Sequence, residues 1–357
     1  MSDNRKEAEE KMAKAIFISG DGWLSVFDLL EPSQLGLGIA LISHRFNFYV
    51  DEHFKTRKWT FGIIRIGSKI RENGTNEMEI VNCYRNPLPI TQKPVPKKVV
   101  GFKAISIEYI DNNSIAFLHR FCPLFASFCP INLAICTTKH RILAFILRNI
   151  WPMIAKNICG MFLFESVLRP LHKLVPSFLN ECPSLRIVSF LLDDIFAEFP
   201  FDDSAITSDG QAVVKWLFTP LQNAVPKVLI CTLDMDDENL ASKIEAFKAA
   251  FASASSPVNF IVVMCFIPSS FADPVVPFVL TNELTREQLA FKETDKSDDC
   301  FVLVRCPIVR DASKWAKWEE EAIGWECFDQ WNQILFNVDE IGDGLLDATP
   351  GSSDQQK

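Results

Sequence analysis

"FLNECPSLRIVSF", residues 178–190, holds the pattern that decides the fold. A helical stretch ends in "FLNE", Cys182-Pro183-Ser184 breaks it, and "SLRIVSF" resumes as a strand with the apolar pair Leu185-x-Ile187. The same apolar-x-apolar pair recurs as Ile105-x-Ile107, Leu133-x-Ile135 and Val228-x-Ile230. The first apolar residues of the strand cores are Ile105, Leu133, Met161, Leu185, Val228 and Phe260, spaced by 28, 28, 24, 43 and 32. The long interval contains an acidic, turn-rich insertion at 193–210, and without those eighteen residues it shrinks to 25. Between the strands lie helical runs such as "HRILAFILRNIWPMIAKN" and "NLASKIEAFKAAFASAS". One strand and one helix every 24–32 residues is the leucine-rich-repeat range, and such units bury their apolar faces only by stacking. The asparagine that follows the strand in regular repeats is mostly missing. The reading is therefore an irregular leucine-rich-repeat-like solenoid over 103–275, its strands parallel and in sequence order. A doubly wound α/β sheet is the competing architecture.

Outward from this core the texture changes. On the C-terminal side, "PFVLTNELTREQLAFKE" and "DDCFVLVRCPIVRD" predict antiparallel strands that close the stack, and "DASKWAKWEEEAIGWE" predicts a helix capped by Asp311. Together these form a C-terminal unit at 276–338. Residues 339–357, rich in Gly, Ser and Asp, read as a disordered tail. On the N-terminal side, 62–82 predicts a β-hairpin turning at Asn73-Gly74, followed by a proline-rich stretch. The segment 62–102 is thus expected to be hairpin plus linker. Residues 16–61 predict a compact helical module. Trp23, Phe27 and Leu30 share one helix face, Pro32 and Ser33 start the next helix, and Gly36 and Gly38 weaken it. Residues 1–15 are a charged leader. The fold class is mixed: an α+β or α/β chain with a small helical module in front of a strand–helix array.

Composition narrows the function. The 357 residues carry a net charge of -9, 48% hydrophobic and 23% charged side chains, which argues against a nucleic-acid surface. The apolar run "FIVVMCFI" at 260–267 is too short to span a bilayer. With no secretory signal pattern, an intracellular location, cytoplasmic or nuclear, is expected, and the eleven cysteines are expected to be reduced and buried. Cys122, Cys129 and Cys136 recur every seven residues without a CxxC pair, so no metal is expected there. "DMDDE" at 234–238 lacks the glycine and final glutamate of a calcium loop. The five histidines share no ligand or triad spacing, and no nucleophile elbow or phosphate loop occurs. The sequence therefore predicts no catalytic residues and no cofactor. Trp315, Trp318, Trp325 and Trp331 cluster near the C-terminus, as core closure or as binding anchors.

Residues 16–61 resemble an F-box. "VFDLLEPSQL" is similar to the family's Ile/Phe-x-x-Leu-x-x-x-x-Leu stretch, "LISHRFNFYV" to the step before its last helix, and Trp59 to its closing tryptophan. Ile18-Ser19 stands where the family opens with Leu-Pro. "LTNELTREQL" (280–289) and "VRCPIVRDASKWAKWEEEAI" (304–323) extend the resemblance to the expanded nematode F-box family, with its degenerate box before a long associated domain. The resemblance implies a substrate receptor in a cullin-based ubiquitin ligase. Its box would dock a Skp-type adaptor protein through Ile18, Trp23, Phe27, Leu30, Pro32 and Leu35. The strand array would bind a protein target on residues that alternate with the buried pairs: Ser106, Glu108, Asn132 and Arg186, with Ala134, Val188, Leu229 and Cys231 nearby. The alternative is a protein-binding scaffold whose box serves only its own fold. A hydrolase is disfavoured by the absence of a nucleophile–base pair.

Overall fold

A computed structural model describes residues 18–56, 59–70, 76–82, 87–88, 95, 99–126, 130–191, 209–222, 224–234, 240–267, 276–294, 297–342 and 345. Nearly all of the 193–210 insertion lies outside the described residues, as do the Asn73-Gly74 turn, Cys129, residues 235–238, most of the proline-rich stretch, the leader and most of the tail.

Among the described residues thirteen strands form one sheet. They are β1 (Trp59–Ile70), β2 (Asn76–Asn82), β3 (Pro87–Leu88), β4 (Val99–Ile110), β5 (Ile131–Ile135), β6 (Ile158–Phe164), β7 (Ile187–Leu191), β8 (Lys227–Asp234), β9 (Phe260–Ile267), β10 (Phe278–Asn282), β11 (Glu287–Thr294), β12 (Ser297–Pro307) and β13 (Gln333–Ile341). Their order across the sheet is β10-β11-β12-β9-β8-β7-β6-β5-β13-β4-β1-β2-β3. The run from β9 through β13 and β4 to β1 is parallel throughout, and both flanks are antiparallel. The helices are α1 (Gly20–Phe27), α2 (His44–Thr56), α3 (Asn112–Ala126), α4 (His140–Asn149), α5 (Trp151–Ile154), α6 (Glu165–Leu174), α7 (Asp209–Phe218), α8 (Leu240–Ser253) and α9 (Ala312–Ile323). The fold is thus mixed α/β on a mostly parallel sheet. Among the described residues no helix is long and apolar enough to cross a membrane.

Each crossover helix buries its apolar stripe on the same side of the sheet. Phe117 and Phe121 of α3, Leu143 and Ile146 of α4, Leu168 and Leu171 of α6, Val213 and Trp216 of α7, and Phe247 of α8 share one core with Ile105, Leu133, Met161, Val188, Leu229 and Val262. A second, smaller core lies on the opposite face, where Trp315 and Ala322 of α9 cover Ile187, Val228, Ile261, Val263, Val302 and Val304. Strands β7 to β9 are therefore apolar on both faces, which explains their unbroken hydrophobic runs.

Several expectations change. The strands expected near 133, 161, 185, 228 and 260 lie adjacent and in sequence order, the fourth beginning at Ile187, but β13 stands between β4 and β5. Asn332 makes this insertion. With φ at 56° it sits in the left-handed region that asparagine tolerates. Its N–H donates to the Phe102 carbonyl at 2.8 Å, its Oδ1 accepts from the Phe102 N–H at 3.0 Å, and its carbonyl accepts from the Asn132 N–H at 3.2 Å. The hairpin placed in a linker unit at 62–102 is part of the sheet: β1 pairs in parallel with β4, which already begins at Val99. The cause is alternation, since Ile64, Ile66, Met78 and Ile80 all point into the main core. Residues 339–341, read as the start of a disordered tail, complete β13, and the Gly342 N–H donates to Ile110 O at 2.7 Å. Two cysteines read as reduced, Cys265 and Cys300, form a disulfide between β9 and β12, because the antiparallel register sets them directly opposite with Cα atoms 4.2 Å apart.

Phe336 of β13 is fully buried in the main core, whereas its neighbour Leu335 faces the other side and is only partly buried. Phe336→Ala is expected to cost about 3–5 kcal/mol in urea unfolding, and Leu335→Ala less than half of that. Equal effects would mean that β13 is not the seam of the core.

Candidate functional site

Two surfaces carry the features that the sequence singles out. The first is the N-terminal helical module. Ser19 caps α1, its Oγ accepting from the Gly22 N–H at 3.1 Å. Glu31 and Gln34 form a reciprocal capping box at the next helical run, which passes from Pro32–Gln34 through a π-helical segment, Leu35–Ile39, into Ala40–Ile42. The local weakness expected from Gly36 and Gly38 thus takes the form of a widened turn. Phe27, Leu35, Ala40, Val50 and Phe54 make a small separate core, with Trp23, Leu24, Leu30 and Phe46 packed around it.

This placement divides the docking set read from the sequence. Phe27 and Leu35 are interior residues, 1% and 0% exposed, because their helical spacing faces α2 rather than solvent. Trp23 stacks edge-on against Phe46 at 4.8 Å and is partly buried, as are Ile18, Leu30 and Pro32. The large apolar side chains that remain in water are different ones: Leu29 at 85%, Ile42 at 64%, Phe48 at 58% and Val26 at 38% exposure. Leu29 falls off the helix face counted in the sequence, so periodicity passes over it.

The second surface is the sheet face without crossover helices. From β12 to β4 it is covered by α9 and the segment after it. Arg186 donates through Nη1 to both Glu321 carboxylate oxygens at 3.0 Å, and Lys292 pairs with Glu319 at 2.6 Å. Lys103 Nζ donates to the Asp329 carbonyl at 2.9 Å, and Asn132 Nδ2 donates to the Trp331 carbonyl at 3.0 Å. Asn132 and Arg186, expected to meet a partner, instead fasten this cover. They do lie on the expected face, but α9 and the residues after it occupy that face first. Ala134 is likewise buried there, and Val188, Leu229 and Cys231 point into the main core. The phase error is physical: where both faces of a strand are apolar, either parity looks buried.

Beyond the cover, β1, β2, β4 and β13 expose a cleft of about 540 Å³ lined by Arg65, Glu79, Glu108, Tyr109, Asp339 and Glu340, among others. Glu108 accepts from Ser106 Oγ at 3.3 Å and pairs with Arg65 at 3.3 Å. Asn76 Nδ2 donates to Glu340 Oε2 at 2.9 Å. Phe336 pairs with Ile107 and Glu340 with Tyr109, so β13 bulges here and brings Asp339 and Glu340 together at the rim. Of the partner residues read from the sequence, Ser106 and Glu108 belong to this cleft edge. Arg65, Glu79, Asp339 and Glu340 were missed because all four lie in segments read as hairpin-and-linker or tail.

Among the described residues no group of three His, Cys, Asp or Glu could hold a metal ion. Burial pushes the Cys159, Cys306 and Cys327 thiols up to about 11 and Cys182 up to about 12, so none supplies a thiolate near neutral pH. The buried ion pair Arg305–Glu287, at 2.7 Å, is satisfied on both sides. Arg305 also donates to the Ser256 carbonyl at 3.0 Å, and Glu287 accepts from the Val258 N–H at 2.7 Å. It clamps β11 and β12 to the start of β9 and reaches no cleft. Trp315 of the tryptophan cluster is 5% exposed and Trp318 packs beside it, so both serve the smaller core, while Trp331 is 54% exposed. Compared with protein-family models, with curated proteins and with solved structures, the chain matches none.

Gly160 fixes how closely the cover lies. A Cβ there would meet Asn132 Oδ1 at 2.2 Å and the Trp325 ring at 3.1 Å. Gly160→Ala is expected to lower stability by about 1–3 kcal/mol, and adding Asn132→Ala should recover part of the loss. Thermal unfolding of the two single variants and the double variant reads the coupling, and strict additivity would reject the packing argument.

Lys227, 4% exposed, donates its ammonium to the carbonyl of Trp216 and lies over that ring at 4.9 Å. Burial lowers it from 10.5 to about 8. Between these values the unfolded chain binds more protons than the folded one, so stability contributed here rises with pH across that window. Lys227→Met should remove this rise, which amounts to on the order of 1 kcal/mol per pH unit. Urea midpoints of both proteins at pH 8, 9 and 10 check it, and parallel curves would refute it.

Proposed function

We propose that this protein is a non-enzymatic substrate receptor of a cullin-based ubiquitin ligase. In this reading the helical module docks a Skp-type adaptor protein, and the strand–helix array, an irregular leucine-rich-repeat-like stack, holds a protein target. The observation that carries the proposal is the division of labour within the module. It completes its own core with Phe27, Leu35 and Phe54 and still leaves Leu29 and Ile42 in water. Exposed leucine and isoleucine beside a core already closed are the anchors that an apolar interface core requires.

The target surface in this reading is the sheet-face cleft at Arg65, Ser106 and Glu108. The mechanism is proximity: a target held on the same chain as the ligase-docking module meets the charged enzyme at a raised effective concentration. No residue of this chain takes part in bond chemistry.

One observation favours the second reading, a scaffold whose box serves only its own fold. The box residues expected to reach outward, Phe27 and Leu35, are consumed internally.

Co-purification with a Skp-type subunit separates the two readings. Leu29→Asp with Ile42→Asp is expected to abolish capture by placing charges in an apolar interface, while the far-ultraviolet spectrum and unfolding midpoint stay unchanged. Phe27→Asp, by contrast, should unfold the module. Glu108→Arg should reduce target capture alone. Wild-type protein that retains targets but brings down no Skp-type subunit supports the scaffold.

A further inference from the structure

The sheet ends differently on its two sides. Strand β3 is an edge of two residues that begins on Pro87, and a short edge with a proline resists pairing with another chain. Strand β10, Phe278–Asn282, is the opposite edge and has neither protection. It runs for five residues with no proline and no charge among them. Alternate residues of an antiparallel strand turn their N–H and C=O groups to opposite neighbours. Strand β11 takes one set, and among the described residues no strand takes the other.

Packing holds this edge in place. Phe278 stacks on Phe291 and Phe291 on Phe301, with ring centroids 5.5 and 5.2 Å apart. Asn282 Nδ2 donates to the Phe251 and Ala254 carbonyls at 2.8 and 3.0 Å, at the end of α8. Phe278, Leu280 and Asn282 therefore face the α8 side, and Val279 and Thr281 face the α9 side. The α9 cover is tied to β11 through Lys292–Glu319, and beyond it Val279 is 65% exposed. Val276 and Leu284, placed symmetrically outside the two ends of β10, are each 74% exposed.

We infer that β10 pairs with β10 of a second copy of this chain, antiparallel about a two-fold axis at Leu280. In that register Val279 of each copy stands opposite Thr281 of the other, a β-branched pair on the open face, and Leu280 stands opposite itself. Val276 of each copy comes toward Leu284 of the other, which adds apolar area at both ends of a short ladder. Glu283 is the one charge between 276 and 284, and it stands opposite Pro277, so like charges do not meet across the axis. The same patch serves both copies, as a closed two-fold dimer requires. A foreign strand would need no such self-complementarity, and this is what selects a second copy as the occupant. The edge lies at the other end of the sheet from the cleft on β1, β2, β4 and β13, so the pairing stands whether or not the protein is a ligase receptor.

Sedimentation velocity on the full chain over a concentration series tests this. A monomer–dimer equilibrium is expected, with slower amide exchange at 278–282 in the dimer. Val279→Lys should weaken dimerisation by about tenfold or more, since a lysine on an edge opposes pairing. Ile70→Lys places the same charge on an exposed isoleucine of β1, on the other flank of the sheet, and should leave it unchanged. Val279 and Thr281 are both exposed, so unfolding midpoints should be retained. Val279→Lys with Thr281→Lys, and Val279→Glu with Thr281→Glu, should each be monomeric alone and should associate when mixed, because opposite charges then face each other across the ladder. A monomer at every concentration overturns the pairing and leaves the edge to a different chain. A dimer that survives Val279→Lys, an equal loss in Ile70→Lys, or a mixture that fails to associate overturns it as well.

Discussion

A sheet has two faces, and this chain has crossover helices on one of them. Every helix that links two parallel strands packs on the same side, so the opposite face must be covered by other means or remain in water. The chain covers part of it with α9, whose Trp315 and Ala322 close the smaller core over β7, β8, β9 and β12. Polar clasps then extend the cover toward β4, through Arg186–Glu321, Asn132–Trp331 and Lys103–Asp329. Where the clasps stop, the face turns polar and the cleft at Arg65 and Glu108 begins. The position of the candidate site is thus a consequence of how far one helix and its trailing loop can reach.

The strand–helix alternation, the parallel order of β5 to β9 and the antiparallel closing strands were legible in the sequence, because each rests on local periodicity and turn chemistry. The insertion of β13 was not. "QILFNV" looks like an ordinary strand, and its neighbours are some two hundred residues away, chosen by Asn332 and by the gap between β4 and β5. Burial parity was legible only where one face is polar. Glu108 lies on the open side, whereas Leu229 and Cys231 do not, since β8 is sealed on both sides, and Ser106, on the same face as Glu108, is itself buried. The Cys265–Cys300 pairing depends on antiparallel register across 35 residues, which no local pattern encodes.

The helical module shows the same limit. Heptad-like spacing found its helices and, in Trp23 and Phe27, its inward face. The spacing does not say whether that face meets a partner or the module's own α2. Here α2 takes it, through Val50 and Phe54, while Leu29, off the counted face, stays outward.

The last of the described strands in chain order is the one that joins the two halves of the sheet. Strand β5 ends at Ile135 and β13 begins at Gln333. At synthesis rates of about 5–20 residues per second, the facing edges of β4 and β5 wait roughly 10–40 s for their common neighbour. During that interval a nascent chain carries two unsatisfied strand edges in its interior, open to false pairing with each other or with a neighbouring chain. A short direct β4–β5 ladder is the trap that must be avoided or undone, so shielding by a chaperone matters most before residue 333 is made.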